Sequence, residues 1–258
     1  MDTTFNEEYR FGSAAWAEVR DIKRAGLFEP HGPQVGFYDR KPIHLAGDAP
    51  MLTIGGAGSG KLRDLLSYVV CNAPGQRMIA LDPRGELAAI SQVAHTLHGE
   101  YAYTWNPMGL LGLPAHSCNP LDILSLNTAT FSADCKFVAE ALVANTGGMD
   151  AKYFEVRGRS ILEALTKTDV EVNGKTSLPR IARMVNAVES DPERWADVLE
   201  AMLASRFEDV RRTAAEMLAK QQDSPKEFGA IMGELYANLG FLDDPALLTA
   251  LEGQDFSL

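Results

Sequence analysis

A run of glycines between two apolar segments constrains the fold of this chain more than any other feature of its sequence. The run reads GGAGSGK at 55–61, and four of its seven residues are glycine. An apolar run at 50–54 precedes it, and apolar residues at helical spacing follow from Leu62 to Val70. A short apolar run that ends in glycine is typical of a buried strand. The sequence therefore predicts a strand, a glycine-rich loop and a helix, in that order.

The same order repeats once, which indicates a parallel sheet. Residues 77–82 form a second apolar run, a helical pattern covers 86–97, and residues 101–105 are the third predicted strand. Strands joined through helices pair in parallel with right-handed crossovers. From about residue 127 the apolar spacing becomes helical almost throughout and predicts five or six helices. We therefore expect an α/β first half and an all-α second half.

The composition is that of a globular protein with an acidic balance. The 258 residues are 46% apolar and 23% charged, and the net charge is −11. Lys and Arg provide nonspecific affinity for nucleic acid, so the negative net charge disfavours a protein whose whole surface binds nucleic acid. A local basic channel is still compatible with this charge. Cys71, Cys118 and Cys135 show no C-x-x-C spacing, which favours a reducing cytoplasm over a disulfide framework or a zinc ribbon. No apolar run reaches the ~18 residues that span a bilayer.

The glycine run fits G-x-x-x-x-G-K, the pattern of phosphate-binding loops. Glycines let the backbone turn its N–H groups toward an anion, the following helix adds its positive end, and Lys61 would reach the β- and γ-phosphates. Leu62 departs from the full pattern, in which Ser or Thr places a hydroxyl on Mg²⁺. A glycine-rich turn without a ligand remains the alternative. The candidate phosphate-binding residues are Gly55, Gly56, Ala57, Gly58, Ser59, Gly60, Lys61 and Leu62.

Two other kinds of site fit the glycine run less well. A dinucleotide-binding loop that starts at Gly56 would need its last glycine at position 61, which is Lys61. A nucleophile elbow around Ser59 would need glycine at Ala57 and at Lys61. The sequence therefore favours phosphate binding over both.

An acidic residue ends the second apolar run and is the candidate metal ligand. Asp82 could hold a Mg²⁺-bound water beside the phosphate loop, and Glu86 is the nearby carboxylate that could orient an attacking water. Lys61, Asp82 and Glu86 are therefore the candidate catalytic residues, although Asp82 could instead cap the following turn. His95 and His98 have no third ligand in sight, so we interpret them as part of a solvated helix face.

The order of several short motifs resembles that of the type IV secretion coupling proteins, the conjugative DNA-transfer ATPases of the bacterial inner membrane. Together the motifs cover nearly the whole chain, and Arg84 stands where the family has Lys. In chain order they are G-S-A with Trp16, R-A-G-L at 24–27, the loop at 56–61, L-D-P-R-G-E-L at 81–87, N-P-L-D at 119–122 and the segment 150–165.

The resemblance implies part of a RecA-like P-loop NTPase domain with a parallel sheet and an inserted all-α domain. The implied segments are an N-terminal segment (1–45), the first part of the nucleotide-binding domain (46–126), the all-α domain (127–245) and the start of the return to the nucleotide-binding domain (246–258). In the family the Walker B acids and the catalytic glutamate follow that return. We therefore interpret the chain as a fragment, a natural truncation or one part of a split protein, and leave hydrolysis open.

The resemblance also implies an ATP-binding coupling protein that recruits DNA or protein substrate to a transport channel and powers its transfer. ATP and Mg²⁺ are the implied cofactors, and channel components with relaxosome or effector proteins are the implied partners, at the cytoplasmic face of the inner membrane. The family forms hexamers around single-stranded DNA or unfolded protein, whereas we expect this chain to be a monomer whose acidic helical domain has no measurable affinity for single-stranded DNA. The alternative is a non-catalytic adaptor with a degenerate loop, whose helical domain binds secretion substrates or partner proteins.

Overall fold

The chain divides into two units, residues 1–102 and residues 103–258. A computed structural model describes residues 16–47, 50–72, 76–144 and 151–257. The G-S-A motif and the first residue of the segment 150–165 lie outside the described residues.

The first unit begins with a short helix and a hairpin. The apolar spacing of residues 14–25 predicts a short helix, which is observed as α1, Val19–Arg24, with Ile22 buried. The Gly/Pro-rich residues 30–42 predict a connection or a hairpin. Strands β1, Gln34–Tyr38, and β2, Lys41–His44, pair antiparallel, so a hairpin is observed. Asp39 and Arg40 at its tip both have positive φ, the conformation that a two-residue hairpin turn requires.

Helices follow the glycine run and the second apolar run, as predicted. Directly after the glycine run, a π-helical segment, Leu62–Leu66, continues into α2, Ser67–Cys71. After the second apolar run comes α3, Glu86–Leu97, with the predicted bounds. Helices α2 and α3 contact each other. The helix after the loop therefore lies beside the helix that begins at Glu86.

The predicted parallel sheet is not formed by the described residues, whose only sheet is the hairpin. Residues 50–54, 77–82 and 101–105 carry no strand assignment. A strand needs hydrogen-bonded neighbours and an apolar cover, and no described strand pairs with these runs, so their side chains stay exposed. The exposed side chains include Leu52 (83%), Ile54 (86%), Ile79 (91%) and Leu81 (94%).

The described part of the second unit is built from α-helices with short 3₁₀ segments, as the apolar spacing predicts. The helices are α4, Phe131–Leu142; α5, Ala151–Asn173; α6, Leu178–Ser190; α7, Pro192–Ala204; α8, Glu208–Asp223; α9, Pro225–Leu239; and α10, Pro245–Glu252. Helix α10 was not predicted as a helix. The 3₁₀ segments are Leu110–Gly112 and Gly240–Asp243.

Local capping defines where several of these helices begin. Ser177 and Asp191 accept hydrogen bonds from backbone N–H groups of α6 and α7, and Asp244 does the same for α10. Proline stands at the first or second position of each helix, where its missing N–H costs nothing. The spacing of Ser224 and Glu227, with proline between them, predicts that α9 begins with a capping box. The start is confirmed, but the capping box is wrong because the Ser224 side chain makes no capping bond.

The core of the second unit surrounds α5. This helix contacts α4, α6, α7, α8 and α9, so it lies at the centre of the bundle. The core is mainly apolar and includes the fully buried side chains Leu162, Leu165, Ile181, Met202 and Leu235, although α5 also buries polar and charged side chains such as Glu155 and Lys167. Burying each such side chain stabilises the fold by about 1.5–3 kcal/mol relative to leaving it in water.

The two ends of the helical bundle lie side by side. The backbone N–H of Cys118 donates to the carbonyl oxygen of Ala250 at 2.9 Å, and Cys118 also forms a β-bridge with Gln254. The Asp255 carboxylate accepts from the N–H and the hydroxyl of Ser117 at 2.8 and 2.6 Å. The chain thus enters and leaves the bundle at one place, which is the geometry that an inserted domain needs.

Candidate functional site

The glycine-rich loop takes a conformation that only small residues allow. Gly58 and Gly60 have φ of +72° and +85°, in the left-handed region that favours glycine. A Cβ atom at Gly60 would lie 2.1 Å from Oδ2 of Asp64, and one at Gly55 would lie 2.6 Å from Oγ of Ser59. Backbone angles therefore favour glycine at positions 58 and 60, whereas the close contacts at Gly55 and Gly60 are with the ends of exposed side chains that can move.

The side chain of Lys61 folds back over its own loop. Its ammonium group donates to the carbonyl oxygens of Gly55 at 2.5 Å and Gly56 at 2.8 Å, and to Oγ of Ser59 at 3.4 Å. These acceptors are neutral, so each is a weaker partner for an ammonium group than an anionic oxygen would be. An anion bound in the loop could therefore take their place.

An ion pair at the start of the following helix was missed by sequence reasoning. Arg63 donates from Nε and Nη2 to the two carboxylate oxygens of Asp64 at 2.6 and 2.8 Å. The side-chain hydrogen bond raises the pKa of Arg63 and lowers that of Asp64. Adjacent charges of opposite sign were the available signal. The pair places a fixed carboxylate close to Gly60, whereas Leu62 brings no hydroxyl.

The structure gives Asp82 a capping contact. Its Oδ2 accepts a hydrogen bond from the backbone N–H of Ala88 at 2.9 Å, in the first turn of α3. Helix termini leave such N–H groups without an intrahelical partner, so the contact stabilises the start of α3. This is the alternative role that the sequence left open. The other oxygen, Oδ1, has no partner among the described residues, so the metal role stays a prediction.

Glu86, the remaining catalytic candidate, makes its ion pair outside the glycine-rich loop. Glu86 begins α3 and its carboxylate lies 3.4 Å from Nε of Arg84. No hydrogen bond or ion pair between described residues joins Lys61 to Asp82 or to Glu86. Within the described ranges, no group of three potential metal ligands was found.

The N-P-L-D motif has a structural role in the second unit. The buried Asn119 donates from Nδ2 to the carboxylate of Asp122 at 2.7 Å and to the carbonyl oxygen of Thr176 at 2.8 Å. Its Oδ1 accepts from the N–H of Leu121 at 3.1 Å. The motif therefore ties the chain before the bundle to the connection between α5 and α6.

Comparison with known proteins decides the family. Residues 9–258 match the family described as "Type IV secretory system Conjugative DNA transfer". The chain belongs to this family. The resemblance drawn from the order of the motifs is thereby confirmed, and the match includes the glycine-rich loop, the segment around Asp82 and the N-P-L-D motif.

One member of the conjugation machinery aligns with almost all of this chain. "Conjugal transfer protein TraG" of Escherichia coli is 24% identical over an alignment of 290 residues, which covers 97% of this chain and 43% of TraG. The chain thus spans less than half the length of this relative. No helix in the described part of the chain is long and apolar enough to cross a membrane.

Proposed function

We propose that this chain is part of a coupling protein for conjugative DNA transfer and that its loop at 55–61 binds Mg-ATP. The observation that carries the proposal is a glycine-rich loop with left-handed glycines, directly followed by a helical segment and a lysine that lies across the loop. Membership of the conjugative DNA-transfer family supports the cellular role.

Phosphate binding would replace contacts that the loop now makes with itself. In the proposed complex, the ammonium group of Lys61 leaves the carbonyl oxygens of Gly55 and Gly56 for the β- and γ-phosphate oxygens. The exchange is favourable because hydrogen bonds to charged acceptors are roughly twice as strong as those between neutral groups. Backbone N–H groups of the loop complete the cradle.

Asp82 is proposed to hold Mg²⁺ through a bound water while it also caps α3. The two tasks are compatible because Oδ2 contacts the N–H of Ala88 and Oδ1 has no partner among the described residues. Glu86 is the proposed residue for orienting water. Since Leu62 supplies no hydroxyl for Mg²⁺, we expect this chain to bind ATP with little or no hydrolysis.

Calorimetric titration of the purified chain with Mg-ATP tests the proposal. We expect a Kd below about 1 mM, and at least a tenfold weaker Kd in Lys61→Ala because the phosphate contact is lost. Lys23→Ala is the matched control, since Lys23 is an exposed lysine of the same unit without an ion pair among the described residues. Equal affinity in wild type and Lys61→Ala would contradict the proposal.

A non-catalytic adaptor is the second candidate function. Two observations favour it: Leu62 in place of a hydroxyl residue, and the three hydrogen bonds by which the side chain of Lys61 contacts its own loop. In that case, relaxosome or effector proteins would bind the helical unit whether or not nucleotide is present. Capture of such a partner by Lys61→Ala at the wild-type level, together with no ATP binding by wild type, would favour the adaptor.

Partners and assembly are proposed from the family. Components of a type IV secretion channel would contact the full-length protein, and a ring around single-stranded DNA is proposed only for family members of full length. For this chain we expect a monomer. Sedimentation velocity with and without Mg-ATP tests this, and a stable hexamer would contradict it.

A further inference from the structure

The helical unit contains a cleft that the proposed nucleotide site does not use. It lies between α5, α6 and α7 and has a volume of about 500 Å³. Pockets that hold small ligands or short peptide segments commonly measure ~300–1,000 Å³. The cleft is therefore large enough for a few side chains of a partner.

Three arginines line the cleft, and two of them already hold carboxylates. Arg180 donates from Nε and Nη2 to the two oxygens of the buried Asp169 at 2.8 and 2.7 Å. Arg183 forms an ion pair with Glu252 of α10. Arg194 is exposed, and no carboxylate lies within 4 Å of its side chain among the described residues. One guanidinium group in the cleft is thus without a carboxylate partner.

The walls between these charges are apolar. Val172 of α5 is 63% exposed although it lines the cleft, and the partly buried Val198 and Ala201 of α7 lie there too, with the buried Met184 of α6. An exposed valine beside further aliphatic side chains offers an apolar side chain of a partner a place to bury surface.

We propose that this cleft binds an acidic peptide segment in which Glu or Asp lies next to an aliphatic residue. The carboxylate binds Arg194, since a guanidinium fork matches two carboxylate oxygens, and the aliphatic side chain packs on Val172 and Val198. Asp197, also in the cleft, accepts a backbone N–H of the peptide. The inference rests on the proposed function only in that a coupling protein needs a docking site for protein substrates.

The charges of the cleft favour a peptide over a nucleic acid. Arg180 and Arg183 are already paired with Asp169 and Glu252, Asp197 adds a negative charge to the lining, and only Arg194 is left without a carboxylate partner among the described residues. The chain as a whole carries a net charge of −11. A phosphate backbone repeats its charge at every nucleotide and needs several free Lys or Arg side chains. One carboxylate needs only one guanidinium group.

Fluorescence anisotropy with the full chain tests the cleft. The probe is a fluorescein-labelled octapeptide of alternating Glu and Leu, and its control is the same peptide with Gln for each Glu. We expect the Glu peptide to bind at least tenfold more tightly than the Gln peptide. Arg194→Gln should weaken binding of the Glu peptide at least tenfold, because the guanidinium–carboxylate pair is lost. Val172→Asp, which places a negative charge on the apolar wall, should weaken it as well.

The matched control is Arg212→Gln, because Arg212 is an exposed arginine of α8 without an ion pair among the described residues and lies outside the cleft. It should leave the affinity unchanged. Equal binding of the Glu and Gln peptides, or equal loss in Arg194→Gln and Arg212→Gln, would overturn the proposal. Displacement of the peptide by an equal concentration of single-stranded oligonucleotide would also overturn it and assign the cleft to phosphate.

Lys61→Ala should bind the peptide as wild type does. If the peptide does not bind but ATP does, only the proposal for the cleft is rejected. If ATP does not bind but the peptide does, only the proposed nucleotide site is rejected.

Discussion

Glu171 shows how one carboxylate ties three helices of the second unit together. It lies near the end of α5, where its oxygens accept from the hydroxyl of Ser205 at 2.5 Å and from the N–H and Nε of Arg206 at 3.0 and 2.9 Å. Ser205 and Arg206 form the connection between α7 and α8. Burial by itself raises the pKa of Glu171, but these hydrogen bonds outweigh it and leave the pKa below its usual value.

This pKa gives the helical unit a predictable acid response. Because the folded pKa is depressed, the stabilisation by Glu171 is fully present above the unfolded pKa of about 4.3 and is lost as the pH falls through the folded pKa. We expect Glu171→Gln to lower the free energy of unfolding at pH 7 by about 1–3 kcal/mol, and the difference from wild type to shrink below about pH 4.

Urea unfolding between pH 3 and pH 7, followed by circular dichroism and fitted to a single transition, measures this difference in unfolding free energy. Glu200→Gln is the control, since Glu200 is an exposed glutamate of α7 without an ion pair among the described residues, and it should change stability by less than about 0.5 kcal/mol. A deficit in Glu171→Gln that stays constant down to pH 3 would show that the carboxylate acts by shape and not by charge.

At the scale of single residues, the sequence predicts the loop but not the cleft. Gly58, Gly60 and Lys61 stand in one short motif, so their spacing alone indicates their proximity. Arg194 and Val172 come from different helices, and only packing brings them to one cleft. The Arg63–Asp64 pair is local in sequence, but the phosphate-loop motif specifies no residue at positions 63 and 64, so the motif did not predict the pair.

At the scale of elements, the helices were predictable because their signals are local. The apolar spacing with its proline and capping signals predicts helices from residues 86, 178, 192 and 225, and α3, α6, α7 and α9 begin there. The strands were not predictable in the same way, because pairing depends on distant segments. An apolar run such as 77–82 carries no information about which strand would lie beside it.

The capping box predicted at α9 is wrong because contacts with other helices, which the local sequence does not reveal, engage Glu227. Its Glu227 instead receives hydrogen bonds from Lys220 at 2.5 Å and from the hydroxyl of Tyr153. These bonds, that from Lys220 first, lower the pKa of Glu227. A contact between α5, α8 and α9 thus replaces the local cap.

The cap of α3 gives a prediction at this scale that separates two roles of Asp82. We expect Asp82→Ala to lower the free energy of unfolding of the first unit by about 0.5–2 kcal/mol, the usual cost of a lost N-terminal cap. Asp82→Asn keeps an oxygen for the N–H of Ala88 and should retain most of that stability, while it weakens Mg²⁺-dependent ATP binding.

Urea unfolding and a Mg²⁺ titration of ATP binding measure the two roles separately. The control is Asp39→Asn, because Asp39 is an exposed aspartate at the hairpin tip without an ion pair among the described residues, and Asn tolerates its positive φ. If Asp82→Asn binds Mg-ATP as wild type does, Asp82 is a cap and not a metal ligand.

At the scale of the whole molecule, the two units differ in what they bury. The second unit has a continuous apolar core around α5. In contrast, apolar side chains of the runs 50–54 and 77–82 in the first unit, and of 101–105 at its end, are exposed. The helical unit can therefore be a stable scaffold for docking, while the loop at 55–61 is held by bonds within its own turn. Both units lie within the match to the family described as "Type IV secretory system Conjugative DNA transfer".

Hydrogen–deuterium exchange of the whole chain with and without Mg-ATP tests whether nucleotide binds at the loop 55–61, because it reports which backbone amides the nucleotide protects. Phosphate oxygens that accept from the loop amides slow their exchange, so we predict slower exchange at 56–62 in wild type and none of this slowing in Lys61→Ala. Amides of α5 to α9 should not change. Unchanged exchange at 56–62 under saturating Mg-ATP, or slowing confined to the helical unit, would contradict the account.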